Sequence, residues 1–338
     1  MLFAPLGHSL GDSGHYLPRQ GCIQQIIHTN ILAIFDKIGN NYYYISIYVC
    51  RLRRLPAGGL EGRMLGRGWS NRGRANSVGG MVTWDSEQYL RFKKERTQPS
   101  RDLAMQLPPD DGGVRRVLDI GCGPGNSTAV LRERYPHAEI LGVDSSPDMV
   151  EAARKAYPDI DFRLCDVSSQ LGELPGGFDV VFSNACIQWV PDHPHLIPGL
   201  LGLLRAGGVL AVQTPMNYEE PIHRIIGRLV HSPKYADKLP QQREFYNLTP
   251  SEYWELLHAH ASAFRIWKIT YMHTLPSHEA IMDWYRGTGM RPYLQALDEA
   301  GRKEFEAEVF AQVREEYPVQ SDGSIIFPFP RFFFLATR

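Results

Sequence analysis

The stretch that most constrains this chain is Val117-Leu118-Asp119-Ile120-Gly121-Cys122-Gly123-Pro124-Gly125. A short apolar run of β-formers carries an acid near its end, and three glycines follow at alternate positions. Asn126-Ser127-Thr128 then open a helix with Val130 and Leu131 on one side and charges on the other. Strand, glycine turn and helix in that order build a nucleotide-type binding site at the carboxyl end of a parallel strand. The glycines let the backbone turn sharply and let a ligand approach main chain with no Cβ in the way. Pro124 stiffens the turn, and Asn126 or Ser127 is placed to cap the helix.

The spacing departs from the dinucleotide fingerprint. Asn126 stands where that pattern puts its third glycine, and Asp119 suits a cationic or amine-bearing ligand better than a pyrophosphate. The next strand, Ala138 to Asp144, also ends in an acid, nineteen residues beyond Gly125. A carboxylate there has acceptor oxygens for both hydroxyls of a ribose and repels a 2′-phosphate. Ser145 or Ser146 opens the helix after it. Ile160 to Val167 reads as a third strand and Phe178 to Asn184 as a fourth, continuous and apolar as a strand buried on both faces must be. Asn184 to Trp189 therefore lies where an open α/β sheet places its active site. Leu203 to Gln213 supplies a helix end, a glycine turn and a fifth strand.

This alternation predicts an α/β fold, a doubly wound and mostly parallel sheet with right-handed crossovers. Ala263 to Thr274 and Ser324 to Thr337 bring the strands to seven, the last an aromatic, antiparallel C-terminal strand with Phe327, Phe329, Phe332, Phe333 and Phe334. Helical stretches at Pro221–His231, Pro250–Ala261, Ser277–Arg286 and Pro292–Tyr317 are too many for simple crossovers. They read as cap insertions over the carboxyl edge, about residues 214–262 and 277–320.

Residues 1–80 differ from the rest. Ile23 to Cys50 is rich in Ile and Tyr but interrupted by Asp36, Lys37 and several amides, and Arg51 to Arg74 is rich in Arg and Gly with Glu61 its only acid. The first eighteen residues hold no Lys or Arg, which argues against a targeting peptide. The expectation is a disordered extension, or a reading-frame artefact preceding a start at Met81, which N-terminal sequencing of native protein tests. Residues 81–338 read as one enzyme domain. Its first helices are expected at Ser86–Glu95 and Pro99–Gln106, with Tyr89, Phe92 and Arg96 on one face as either a packing stripe or a lid.

Composition narrows the class. Of 338 residues, 43% are hydrophobic and 22% charged, as in ordinary globular proteins, and the formal net charge of −1 argues against a general nucleic-acid binder. No run of about 20 apolar residues suggests a membrane span. Five cysteines lack any metal-type spacing and their number is odd, so a reducing, cytoplasmic setting and no metal are expected. His193, His195, His258 and His260 read as surface or loop histidines. A monomer acting on a small molecule is the expected state.

The run Asp119 to Thr128, followed by Gly142-Val143-Asp144-Ser145-Ser146-Pro147, resembles class I S-adenosylmethionine (SAM) methyltransferases. More specific are Asn184-Ala185-Cys186-Ile187-Gln188-Trp189-Val190-Pro191-Asp192-His193, Leu275-Pro276-Ser277-His278, Trp284, Thr288-Gly289-Met290-Arg291-Pro292 and Phe329-Pro330-Arg331. Together they resemble the trans-aconitate methyltransferases over residues 81–338. The resemblance implies a monomethyl ester of trans-aconitate made from SAM, with S-adenosylhomocysteine as the other product. It also implies cofactor contacts from Asp119, Gly121, Gly123, Gly125, Asp144, Ser145, Asn184, and from Asp166 and Val167 at the adenine edge.

The chemistry fits without a catalytic side chain, because a carboxyl group is already ionised at neutral pH. What such a site needs is alignment of oxygen, methyl carbon and sulfur, together with clamps for the remaining carboxylates of a tricarboxylate. Arg suits that task through its planar fork. Arg96, Arg286, Arg291 and Arg331 are the candidates, with Tyr89, Gln188, Trp189 and His273 as lesser contacts, and Trp189 also as a cation–π partner of the sulfonium. Another small acid or an acyl carrier as acceptor, an NAD-dependent oxidoreductase and a non-catalytic SAM-binding module are the competing readings.

Overall fold

Four apolar segments become the parallel heart of a sheet because each is covered on both faces, and a fifth, with only Phe162 buried, closes its edge. They are β3 (Arg116–Ile120), β4 (Glu139–Asp144), β5 (Asp161–Leu164), β6 (Phe178–Asn184) and β7 (Leu204–Pro215). The computed structural model describes residues 37–38, 41–50, 93–239 and 245–338. Beyond β7 the sheet continues with β9 (Ile325–Thr337), antiparallel to β7, and β8 (Ala263–Leu275), antiparallel to β9. β8 thus runs with β7, and the seven strands have the doubly wound order with the antiparallel C-terminal strand that the sequence predicts. Among these seven the order is β5-β4-β3-β6-β7-β9-β8.

The outer two strands, β1 (Lys37–Ile38) and β2 (Asn41–Cys50), come from the segment expected to be a structureless extension. β2 pairs antiparallel with β8 from Tyr43↔Tyr271 to Cys50↔Phe264. Tyr, Ile and Val dominate it, the residue types that pleated edges favour, so the expectation of disorder does not hold for this stretch. The Arg-rich segment and the helix start at Ser86, with Tyr89 and Phe92, lie outside the described residues.

Side chains alternate between two cores. Val117, Val180, Phe182 and Phe333 face α1 (Lys93–Ala104), α2 (Asn126–Arg134) and α3 (Pro147–Ala156). Leu118, Ile120, Val181, Val212 and Phe334 face α4 (His193–Gly202) and α6 (Pro250–His260). Expected as cap, α6 is instead a crossover helix, with Tyr253 and Leu257 buried on the sheet. The cap consists of α5 (Pro221–Val230), α7 (His278–Arg286), α8 (Arg291–Ala296) and α9 (Glu299–Glu316), continuous with the first core. The helix expected at Pro292–Tyr317 splits because Leu297 is extended and Asp298 caps α9, its carboxylate accepting from Gly301 N–H at 2.8 Å. α1 joins the described end of the first expected helix to the second and continues through Pro99 with the loss of one backbone donor. Tyr271 of β8 donates to Asp102 at 2.6 Å and fastens α1 to the sheet.

His193 is not a loop histidine. It is fully buried and links Ile187 O at 2.8 Å to the Tyr253 hydroxyl at 2.7 Å, joining the end of β6 to α6. His195 is exposed and pairs with Asp192. No described helix is long and apolar enough to cross a membrane.

Candidate functional site

A cavity of about 530 Å³ opens at the carboxyl ends of β3 to β6 and is bounded on its far side by the cap and by β9. Its floor is the glycine turn. Gly123 has φ +54 and open space where a Cβ would stand, and its N–H donates to Asp144 Oδ2 at 2.9 Å. Ser146 N–H donates to Asp144 Oδ1 at 2.9 Å. Two backbone donors therefore fix the carboxylate, and the remaining lone pairs of its oxygens can accept from a vicinal diol.

Ser145, Asp166, Val167 and Asn184 also line the cavity, as does Gly121. Asp166 Oδ1 is steadied by the Ser168 N–H at 2.9 Å and hydroxyl at 2.7 Å. Asn184 Oδ1 is buried without a partner, and so is the Ser100 hydroxyl, which reaches the cavity from α1. Polar atoms of this kind at a cavity wall are open to a bound ligand or to water. Gln213 stands beside Asn184 in register on β7, fully buried, with neither amide atom partnered.

Two residues expected at the cofactor do not reach the lining. Asp119 lies under the turn, fully buried, with Oδ2 accepting from the Ser127 and Thr128 hydroxyls at 2.7 Å each. Burial pushes its carboxyl up to about 6, against the pull of those two donors. Ser127 is thus committed to Asp119, and α2 begins at Gly125 with no side-chain cap, contrary to the expected one. Gly125 has φ +90, and a Cβ there would come within 2.6 Å of the Tyr157 ring, so this glycine serves packing.

The cap end is aromatic. Trp284, Tyr285, Tyr293, Phe245 and Phe329 line it together with Trp189, whose ring lies 4.9 Å from that of Phe245. Arg331 is the one cation among the described lining residues, 7% exposed, with its guanidinium 4.2 Å over the Phe329 ring. Gln188 lines the cavity too, yet its amide is committed, donating to Ala185 O at 2.7 Å and accepting from Thr214 Oγ1 at 3.2 Å. His273 sits behind the lining, packed between Trp284 and Phe329. Burial and the nearby Arg331 hold it down at about 4.

Among the described side chains, two other candidate arginines are not part of the lining. Arg286 is turned to Asp283 at 2.6 Å and Glu306 at 2.8 Å, a pairing its place in the last turn of α7 makes local. Arg291 opens α8 outside the described lining. Arg96 lies on α1, and Tyr89 is outside the described residues.

Sequence reasoning missed Ser100, Asn217, His223 and Tyr285. Their one signal is a polar group at the border of an amphipathic stripe, as His223 is beside buried Ile222, Ile225 and Ile226. The lining thiols are inert: burial raises Cys122 and brings Cys186 up to about 12, with Asp119 and Asp144 adding to both shifts.

A family model described as a methyltransferase domain matches residues 117–208. The chain is 45% identical over 259 residues to trans-aconitate 2-methyltransferase of Azoarcus sp., covering 76% of this chain and 100% of that protein. Proteins of the same name from Methylobacterium nodulans and Escherichia coli are 44% identical over 260 residues and 40% identical over 258, each covering 76% of this chain and 99% of the relative.

Proposed function

Because the chain belongs to the trans-aconitate 2-methyltransferase family, we propose that it transfers the methyl group of SAM to a carboxylate of trans-aconitate. The products are the monomethyl ester and S-adenosylhomocysteine. The observation that carries this reading is the polarity of one cavity, with Asp144 and Asp166 at the sheet end and buried Arg331 at the cap end. A cation-bearing nucleoside suits the first end and a polyanion the second.

The residues fit the cofactor. Asp144 accepts from the ribose hydroxyls, and Asp166 with the Val167 N–H meets the adenine edge. The unpartnered Asn184 Oδ1 and Ser100 hydroxyl face the amino-acid end. When bound, SAM supplies a methyl carbon made electrophilic by its sulfonium. The chain's own work is placement: Arg331 clamps a carboxylate by charge-assisted hydrogen bonds, and Trp189, Trp284, Tyr293 and Phe329 keep water from the acceptor oxygen. No general base is needed, since a carboxylate is ionised at neutral pH. The protonated thiols of Cys122 and Cys186 do not compete for the methyl group.

Incubation with methyl-labelled SAM and a panel of di- and tricarboxylates and an acyl carrier tests this. Base-labile label on trans-aconitate is expected, and Arg331→Ala should raise KM for the acid about 10- to 100-fold, as the loss of a charged hydrogen bond implies, with SAM affinity held. No transfer to any acid overturns the reading.

A further inference from the structure

The cap end holds a hydrogen-bonded relay that the reaction as derived leaves unused. His223 of α5 lines the cavity and brings Nε2 to 3.0 Å from the Tyr285 hydroxyl. Its ring meets Tyr285 edge-on at 5.3 Å and Phe245 at 5.9 Å, so its plane is fixed from two sides. Asn217, between β7 and α5, reaches the same hydroxyl with its side chain. Tyr285 and Asn217 are buried.

In the tautomer with the ring proton on Nδ1, the phenol O–H donates to Nε2 and Nδ1–H is left to point outward. Burial alone holds His223 down at about 4, so the ring is neutral at physiological pH. Nδ1 makes no other hydrogen bond among the described residues and is not sealed off. Arg331 acts electrostatically on the same Tyr285 hydroxyl, so the cation and the imidazole serve one end of the cavity.

We infer that His223 is a specificity-determining residue whose Nδ1–H binds a non-reacting carboxylate of the acceptor, with the Tyr285 hydroxyl on Nε2 and the ring plane set by Tyr285 and Phe245. This rests on the proposed reading of the acceptor as a tricarboxylate. Such an acceptor has one carboxylate at the transferring methyl, one for Arg331 and one left over. A neutral donor takes the third without adding a second cation to a site that must also accept a sulfonium.

The test compares His223→Leu, His223→Asn and Tyr285→Phe, each checked for folding by thermal melt, on trans-aconitate and on dicarboxylates lacking one carboxylate. His223→Leu should raise KM for trans-aconitate about 10- to 100-fold, with kcat within about threefold and KM for SAM unchanged. The penalty should vanish on the dicarboxylate that lacks the bound group. His223→Asn, whose amide nitrogen falls near the position of Nδ1, should recover most of the loss, and Tyr285→Phe should give an intermediate KM. Equal losses on tri- and dicarboxylates, or no rescue by His223→Asn, overturn the role of His223 while leaving the methyl transfer intact. Absence of transfer from the unaltered enzyme to any tricarboxylate overturns both.

Discussion

Asp119 ends β3 with Oδ2 held by two hydroxyls and Oδ1 buried and unpartnered. Burial raises its carboxyl from 3.8 to about 6. A group whose folded pKa lies above the unfolded one binds more protons in the native state between the two values. Its contribution is therefore fully present below about 3.8 and is lost as pH rises through about 6. At neutral pH the charge opposes folding by up to about 3 kcal/mol, at 1.36 kcal/mol for each pKa unit. Asp119→Asn keeps the acceptor for Ser127 and Thr128. It should match the unaltered protein in Tm near pH 4 and exceed it increasingly toward pH 7, while SAM affinity falls. A Tm difference independent of pH would mean that Asp119 is not charged and buried in the apo protein. At this scale the strand-end acids were legible because a spacing fixes them. Arg286 and Arg331 were both candidates, and only the fold turns one to Asp283 and Glu306 and the other into the cavity.

The glycine turn behaves as an element because its glycines answer to different neighbours. Gly123→Ala meets no atom within 4 Å and carries only the left-handed penalty of about 1–2 kcal/mol. Gly125→Ala adds a clash at 2.6 Å with Tyr157 and a contact at 3.4 Å with Phe162. With overpacking included, it should lose about 2–5 kcal/mol. Calorimetric titration with SAM beside urea unfolding separates them: Gly123→Ala should weaken binding more than stability, and Gly125→Ala the reverse. The same ordering for both variants would show that Gly123 does not face the ligand. Element types were legible from periodicity, whereas α6 was misplaced because an amphipathic helix of its length carries no mark of which surface its apolar face will cover.

For the molecule as a whole, acid is the sensitive direction. Burial holds His223 and His273 down at about 4 and lowers His193, whereas the unfolded chain protonates near 6.5. Depressed folded values mean stability that is present above about 6.5 and lost as pH falls toward 4. Asp119 acts in the opposite sense over part of that window, as do Asp102, Asp144 and Glu220, whose carboxyls burial also raises, but these shifts start from the carboxylate range, below the pH at which the three imidazoles begin to charge in the unfolded chain. The urea midpoint should therefore drop between pH 7 and pH 5, and a flat midpoint would show these imidazoles open to water. The three histidines tie the end of β6 to α6, α5 to α7, and β8 to the cap, so their charging loosens the cap and the sheet end together.

The order of strands, the glycine turn, the strand-end Asp144 and the absence of any need for a catalytic base were set by the sequence alone. Hydrophobic period, turn chemistry and the intrinsic acidity of a carboxyl group are local properties, and each is written within a few residues. Tertiary structure alone decided which polar groups meet at the cap end of the cavity. Asn217, His223, Tyr285 and Arg331 lie on four separate segments that share no spacing, and only packing of the cap on β9 brings them to one cavity wall. Tertiary structure also decided that Asp119 would lie under the turn and not at the ligand. Two hydroxyls from the next helix claim its carboxylate, and the close-packed turn above it leaves no path to the cavity.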